Sequence, residues 1–387
     1  MSFRTKTGDA DPPRVPYAWA PTARGASKLG FDAIEQLTDI VEAMHANIAA
    51  GSMPVGRGTD GRTRGLTGFV YKSIRFVNAG ARTALDRGLG LFPAPAQPES
   101  DSALAVLNGV LGDHLAATEN PLAIRMQLRR AESAAGDRVL LLVHGLCMSD
   151  RQWTRNGHDH GEALARELGM APAYLLYNTG RHVSENGREL AELLEAELSA
   201  LDVELTILAH SMGGLVARSA CHYAAEAGHS WPARLARLVF LGTPHHGAPL
   251  ERGGSWLDVV LGVSPYTSPI GRLGMLRSAG ITDLRYGNVR EEDWRERDRF
   301  ARHGDRRIAM PLPAGVECHA LAGARDLLVP VDSALGRHAE PGRTLAFPEA
   351  QRWVGDGLGH LQLLDDAQVY ERLRALMAAS APQPPTS

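Results

Sequence analysis

The sequence predicts an α/β protein in which helices cover a mostly parallel sheet. Near-continuous apolar runs, typical of strands buried on both faces, recur in the later part of the chain. Segments with helical spacing of apolar residues lie between them, and such alternation builds a parallel sheet. The predicted strands are 138–146, 173–177, 203–209, 235–242, 316–322 and 351–354, and the predicted helices are 162–168, 185–198, 213–227 and a last one from Asp366.

The N-terminal third lacks this alternation. Residues 1–25 are rich in proline and predict a flexible arm. Apolar residues at three- and four-residue steps then predict three helices, which start near Ser27, Leu66 and Ala103, the last reaching Arg130. We therefore expect a helical extension over 26–135 and an α/β domain over 136–380.

An insertion interrupts the alternation at about 248–310. Its first half is apolar and includes Trp256, whereas residues 291–299 are mostly charged. We expect this segment to form a cap that shapes a hydrophobic pocket over the site. The alternative is a helical insert that only packs against the domain.

Composition narrows the class of protein. The 387 residues carry a formal net charge of −3, which gives no reason to expect nucleic acid as a partner. Cys147, Cys221 and Cys318 are far apart, so neither disulfides nor a zinc site is expected, and no metal or cofactor is predicted. With no signal peptide and no apolar run of 18 residues, a cytoplasmic location is expected.

A serine lies between a predicted strand and a predicted helix. The strand at 203–209 runs into His-Ser-Met-Gly-Gly, which places Ser211 on a sharp turn at the carboxyl edge of the sheet. The motif is G-x-S-x-G with Ala209 in place of the first glycine, and Gly213 keeps the second small position. This context predicts that Ser211 is a nucleophile.

Two backbone N–H groups are expected to stabilise an oxyanion. Val143-His144-Gly145-Leu146 ends the strand at 138–146, and such a loop supplies one donor while the residue after the nucleophile supplies the other. The predicted donors belong to Leu146 and Met212.

The acid and the base should follow the serine in the order Asp or Glu, then His. Asp326 stands just past the strand at 316–322, and His360 lies in a glycine-rich loop before the last helix. His360 would act as general base and then as general acid, with Asp326 orienting it. Asp332 is the alternative acid.

Five stretches within 138–378 resemble the α/β-hydrolase superfamily, particularly its lipase and esterase branch. These stretches are LVHGL, AHSMGG, FLGTPHHG, GARDLLVP and GLGHLQLL, and the second and third are similar to bacterial lipases and PGAP1-like hydrolases. The resemblance implies a Ser211, Asp326 and His360 triad. It also implies an oxyanion hole at Leu146 and Met212.

Residues in and near these motifs are candidates for contact with the substrate. We expect substrate contacts at His144, Gly145, His210, His245 and Trp256. Joint metal binding by the adjacent His245 and His246 is not expected, because neighbouring side chains of an extended chain point to opposite sides. His158 and His160 have spacing that could hold a cation, although a solvated loop is the simpler interpretation.

The predicted function is cleavage of a small-molecule or lipid ester through an acyl-serine intermediate. Acyl transfer or thioester cleavage on the same triad is an alternative, and a non-catalytic binding protein on this scaffold is another. Residues 57–91 combine basic and apolar side chains, which indicates either peripheral membrane contact or docking on the protein itself. The oligomeric state is left open.

Overall fold

The computed structural model describes residues 19–49, 63, 65–90, 102–130, 136–248, 278–298 and 304–378. Contacts divide the chain into two compact units. The first is Met1–Glu99 with Asn120–Leu122, and the second is Ser100–Glu119 with Ala123–Ser387. The helix predicted near residue 103 belongs to the second unit, and the domain boundary near residue 135 stays a prediction.

Two long helices form the described part of the first unit, α1 (Trp19–Ala49) and α2 (Gly65–Gly90). Ion pairs join them, including Arg24 with Asp86 at 2.6 Å and Arg82 with Asp32. The predicted arm over 1–25 is wrong at its end, because α1 already begins at Trp19. Pro21 does not prevent this, since proline is tolerated in the first turn of a helix.

The second unit begins with α3 (Ser102–Ala117), and the prediction that this helix reaches Arg130 is wrong. Glu119 has a φ of 49° and is followed by Asn120 and Pro121. A proline cannot continue the helix, and it disfavours helical backbone in the residue before it. Residues Gln127–Arg130 instead form a short strand.

In the described part of the chain seven strands form one sheet, and six of them are parallel, which confirms the predicted α/β class with a mostly parallel sheet. In spatial order they are β1 (Gln127–Arg130), β3 (Ala171–Leu176), β2 (Arg138–Val143), β4 (Glu204–His210), β5 (Leu235–Leu241), β6 (Glu317–Gly323) and β7 (Arg352–Gly355). Only β1 runs antiparallel to its neighbour. The carboxyl ends of β2, β4, β5 and β6 therefore lie together at one edge.

Helices cover both faces of this sheet. They are α4 (His160–Leu168), α5 (Val183–Leu198), α6 (Met212–Ala227), α7 (Ala279–Asp283), α8 (Val331–Ala334) and α9 (Ala367–Ala378). Ile207 of β4 packs in the core that includes α5 and α6, whereas the next residue, Leu208, packs in the core that includes α4 and α9. Because successive side chains pack on opposite faces and both faces are covered, apolar residues occur on both faces of the central strands.

The described part of the predicted cap contains α7 and a short turn of helix at Glu291–Asp293. Trp256 and the rest of the apolar half lie outside the described residues, so the cap stays a prediction. In the part of the chain that is described, no helix is long and apolar enough to cross a bilayer.

Candidate active site

Ser211 occupies the turn between β4 and α6. Its backbone φ of 55° and ψ of −126° are unusual for a residue with a side chain and cost on the order of 1–3 kcal/mol. The Ser211 N–H donates to Leu241 O at 2.8 Å, which ties the turn to the neighbouring strand. The surrounding sheet therefore holds a strained backbone that places this serine at the carboxyl edge.

Small residues make the turn possible. A Cβ at Gly213 would lie 2.4 Å from Val143 O and 2.6 Å from His144 O, so only glycine fits where α6 passes β2. A Cβ at Gly145 would lie 3.0 Å from Ser211 Cβ, which places the loop after β2 beside the serine. Ala209 is fully buried in β4, so its methyl group fits where the motif has glycine.

His360 and Asp326 form a buried pair. His360 Nδ1 and Asp326 Oδ2 lie 2.6 Å apart, and the two side chains are only 7% and 1% exposed. The N–H groups of Leu328 and Val329 donate to Asp326 Oδ1 at 2.8 and 2.9 Å. These donors offset the cost of burying a carboxylate and fix its orientation toward the imidazole.

The alternative acid is placed differently. The Asp332 side chain is 77% exposed, and its ion pair is with Arg337 at 3.9 Å. Of the two carboxylates considered from the sequence, the structure brings only Asp326 to the imidazole of His360.

Two further residues, His210 and Gly242, position His360, and no local sequence signal indicates this role. His210 Nε2 lies 3.2 Å from His360 O. A Cβ at Gly242, whose φ is 59°, would lie 3.2 Å from His360 Nδ1 and Cε1, so a glycine leaves room for the ring. Gly242 lies in the FLGTPHHG stretch, and its role becomes visible only because the distant loop that carries His360 packs against it.

The expected oxyanion donors flank the serine. Leu146 lies in a loop fixed by bonds from Met148 N to Gly145 O and from Cys147 N to Thr179 Oγ1. Met212 is the first residue of α6. Within the described residues neither the Leu146 N–H nor the Met212 N–H donates a hydrogen bond. Their role as oxyanion donors stays a prediction.

A cavity of about 270 Å³ opens at this edge of the sheet, and both Ser211 and His360 line it. Gly145, Leu146 and His210 lie on the same wall. Among the described residues Ser211 Oγ has no hydrogen-bond partner. Bonds between a nucleophile and its base are often long before substrate binds, so this geometry is compatible with a triad.

The sheet is mostly parallel with an antiparallel first strand, and a serine turn connects β4 to α6. Ser211, Asp326 and His360 follow one another in this order along the chain. The chain has the α/β-hydrolase fold.

Comparisons with known proteins give similarities of limited extent. A family model described as a domain of unknown function, DUF7379, matches residues 113–284. No curated protein matches the chain.

Several solved structures are similar at low identity. The mature lipase BlEst2 of Bacillus licheniformis is 16% identical, with 66% of this chain and 98% of that chain covered and a TM-score of 0.43. RedJ, a thioesterase from the prodiginine biosynthetic pathway in Streptomyces coelicolor, is 19% identical, with 64% and 94% covered and a TM-score of 0.38. A lipase-esterase related protein from Clostridium acetobutylicum is 12% identical, with 65% and 99% covered and a TM-score of 0.39.

Two of the expected substrate contacts lie away from the cavity of this α/β-hydrolase fold. His144 is buried and stacks on Tyr177, with ring centroids 4.4 Å apart. His245 is buried against Phe240, and its Nδ1 lies 3.4 Å from Arg218 Nη1. Neither lines the cavity as far as the described residues show. Their contacts with substrate stay predictions.

The pair considered for cation binding is engaged internally. His158 Nε2 and His160 Nδ1 lie 2.8 Å apart, and His160 Nε2 lies 3.2 Å from Leu363 O. No group of three or more histidine, cysteine or acidic side chains suited to a metal occurs among the described residues.

Buried histidines predict that acidification destabilises the fold. Burial lowers the pKa of His144 to about 4, and burial followed by the charge of His158 lowers the pKa of His160 to about 4. The unfolded chain takes up protons near pH 6.5 whereas the native state does not, so stability is full above pH 6.5 and falls toward pH 4. Each histidine contributes up to about 1.4 kcal/mol per pH unit.

Urea unfolding measured at pH 7.5 and at pH 5 checks this dependence. We expect a lower free energy of unfolding at pH 5. His160→Gln should make the free energy of unfolding depend less steeply on pH, by up to about 1.4 kcal/mol per pH unit. A free energy of unfolding that stays constant over this range would contradict the burial of neutral histidines.

Proposed function

We propose that the protein hydrolyses carboxylic esters through an acyl-Ser211 intermediate. One observation carries the proposal: Ser211, on its strained turn, shares a cavity with His360, whose imidazole is paired with the buried carboxylate of Asp326. Nucleophile, base and orienting acid are the three parts that acyl transfer by serine requires.

In the proposed reaction Ser211 Oγ attacks the ester carbonyl carbon while His360 Nε2 accepts the hydroxyl proton. The N–H groups of Leu146 and Met212 donate to the oxyanion. As the tetrahedral intermediate collapses, His360 returns the proton to the leaving alcohol and the acyl group stays on Ser211. Water then attacks the acyl-enzyme with His360 again as base, which releases the acid and restores the serine.

The hydrogen bond between His360 and Asp326 suits this sequence. With Nδ1–H donating to Asp326, the Nε2 atom of a neutral imidazole carries the lone pair that accepts the serine proton. When the imidazolium forms, the adjacent carboxylate stabilises its charge in a site that excludes most water.

The chemistry is tested with p-nitrophenyl esters from acetate to laurate, beside the matching acyl-N-acetylcysteamine thioesters. We expect the folded protein to turn over oxygen esters, with a preference for one range of acyl length. A higher kcat/KM for each thioester than for its ester would reassign the activity to thioesterase. Turnover of neither series would contradict the proposal.

Peripheral membrane contact is the second proposal, and exposed apolar side chains on α2 support it. Phe69, Phe76 and Val77 are 67%, 81% and 67% exposed, and their spacing places them on one face of the helix. The basic Arg75 is already paired with Asp39 and Glu42. Apolar insertion is therefore expected to contribute more to membrane binding than charge does.

Liposome co-sedimentation of the whole protein tests this second proposal. We expect binding to vesicles of phosphatidylcholine and phosphatidylserine that survives high salt in part and that the double substitution Phe69→Ser and Phe76→Ser abolishes. Equal sedimentation of wild type and the double variant would contradict it, and so would an absence of binding at low salt.

A further inference from the structure

A single charged side chain other than histidine lies on the cavity wall that the described residues form, and it belongs to Arg155. The other lining residues in this part of the chain are apolar, amide or hydroxyl groups, apart from His210 and His360. The triad needs no arginine, so the presence of Arg155 in the same cavity as Ser211 calls for an explanation of its own.

The Arg155 guanidinium is poorly satisfied by the protein. Its side chain is 33% exposed, and Arg155 Nε is buried without a hydrogen bond. Its ion pair is with Asp365, whose Oδ2 lies 3.3 Å from Nε. The same oxygen already accepts a hydrogen bond from Asn156 Nδ2 at 2.5 Å. Within the described residues no hydrogen bond from the guanidinium is formed.

A guanidinium offers five N–H donors in a planar fork, and a buried donor left without a partner is costly. The ion pair with Asp365 is made through Nε, and Nη1 and Nη2 are not among the buried side-chain atoms that lack a hydrogen bond in the described residues. Two such donors match the two oxygens of a carboxylate or phosphate group in a bidentate pair.

The charge of Arg155 also reaches the site itself. Burial is the main cause that lowers the pKa of His210 well below its ordinary value, followed by the charge of His360, and Arg155 adds to the effect. His210 directly precedes Ser211 and holds the backbone of His360. An anion bound at Arg155 would thus lie within electrostatic reach of the reacting groups.

We propose that Arg155 binds an oxyanion of the substrate, so that the preferred esters carry a carboxylate or phosphate group in addition to the scissile ester. This inference rests on the proposed esterase function, which it deepens by assigning a substrate class. The anion can belong to the acyl part or to the alcohol part. Either source uses the same fork of donors.

The test compares Arg155→Gln with wild type on three esters. p-Nitrophenyl hydrogen adipate carries the anion on the acyl side, 4-carboxyphenyl hexanoate carries it on the alcohol side, and p-nitrophenyl hexanoate is neutral. We expect the substitution to lower kcat/KM at least tenfold more for one anionic ester than for the neutral ester, chiefly through KM. Arg155→Lys should recover part of this selectivity, because it keeps the charge without the fork.

Arg166→Gln, an exposed arginine of α4 outside the cavity wall, is the matched control and should leave all three ratios at the wild-type value. An equal effect of Arg155→Gln on all three esters would overturn the inference while the esterase function stands.

Binding to the Ser211→Ala variant separates the two proposals. Calorimetric titration of this variant with the adipate monoester, with 4-carboxyphenyl hexanoate and with the neutral p-nitrophenyl hexanoate needs no turnover. We expect tighter binding of an anionic ester, and we expect the added Arg155→Gln substitution to remove the difference. Equal affinities would overturn the inference even if no ester is hydrolysed.

Discussion

Replacing Ser211 with alanine is expected to lower kcat for ester hydrolysis by roughly 10⁴-fold or more, because the substitution removes the hydroxyl on which the proposed acyl-enzyme forms. The helix α6 begins at the next residue, so the loss of one hydroxyl leaves the fold intact. Initial rates with a p-nitrophenyl ester, beside thermal unfolding of the same preparation, measure both quantities.

Ser199→Ala is the control for this experiment, since Ser199 is exposed after α5 on the same unit. It should hydrolyse esters at the wild-type rate. A Ser211→Ala protein that is folded and keeps more than about a hundredth of the wild-type kcat would show that the nucleophile is another residue.

Asp326→Asn is expected to lower kcat on the order of 10³–10⁴-fold with a smaller effect on KM. An amide that donates to His360 Nδ1 would favour the imidazole tautomer with its proton on Nε2, which cannot accept the serine proton. The Asn oxygen can still accept from the Leu328 and Val329 N–H groups, so the loop should keep its shape.

Asp332→Asn provides the matched comparison, because Asp332 is exposed and pairs only weakly with Arg337 in the part of the chain described. It should keep wild-type kcat and KM. If Asp332→Asn lost activity while Asp326→Asn kept it, the assignment of the orienting acid would be reversed.

Much of the sheet was predictable because its central strands are mostly apolar on both faces, and burial on both faces leaves that pattern in the sequence. The strand β1 was not predictable in this way. Three of the four residues of Gln127–Arg130 are polar, and the two arginines are exposed at the edge of the sheet, so its pairing with β3 has no apolar signature. The sequence predicts a helix up to Arg130 because the apolar periodicity continues past Asn120 and Pro121, although the helix ends at Ala117.

The site residues also differ in how far local sequence predicts them. Ser211, Asp326 and His360 lie in recognisable motifs, because each follows a strand or lies in a glycine-rich turn. Gly242 and Arg155 have no such local motif. Gly242 packs against His360 and Arg155 pairs with Asp365, and both contacts join residues that are distant in the chain. Ser102, in the first turn of α3, also lines the cavity. From the sequence this helix is predicted to belong to the N-terminal extension.

Labelling with a fluorophosphonate probe, followed by mass spectrometry of the digested protein, tests the activated serine most directly. The geometry around β4 and α6 predicts one adduct per chain, on the peptide that contains Ser211, with labelling much slower in Asp326→Asn. An adduct on a different serine, or no adduct on folded wild-type protein, would contradict it.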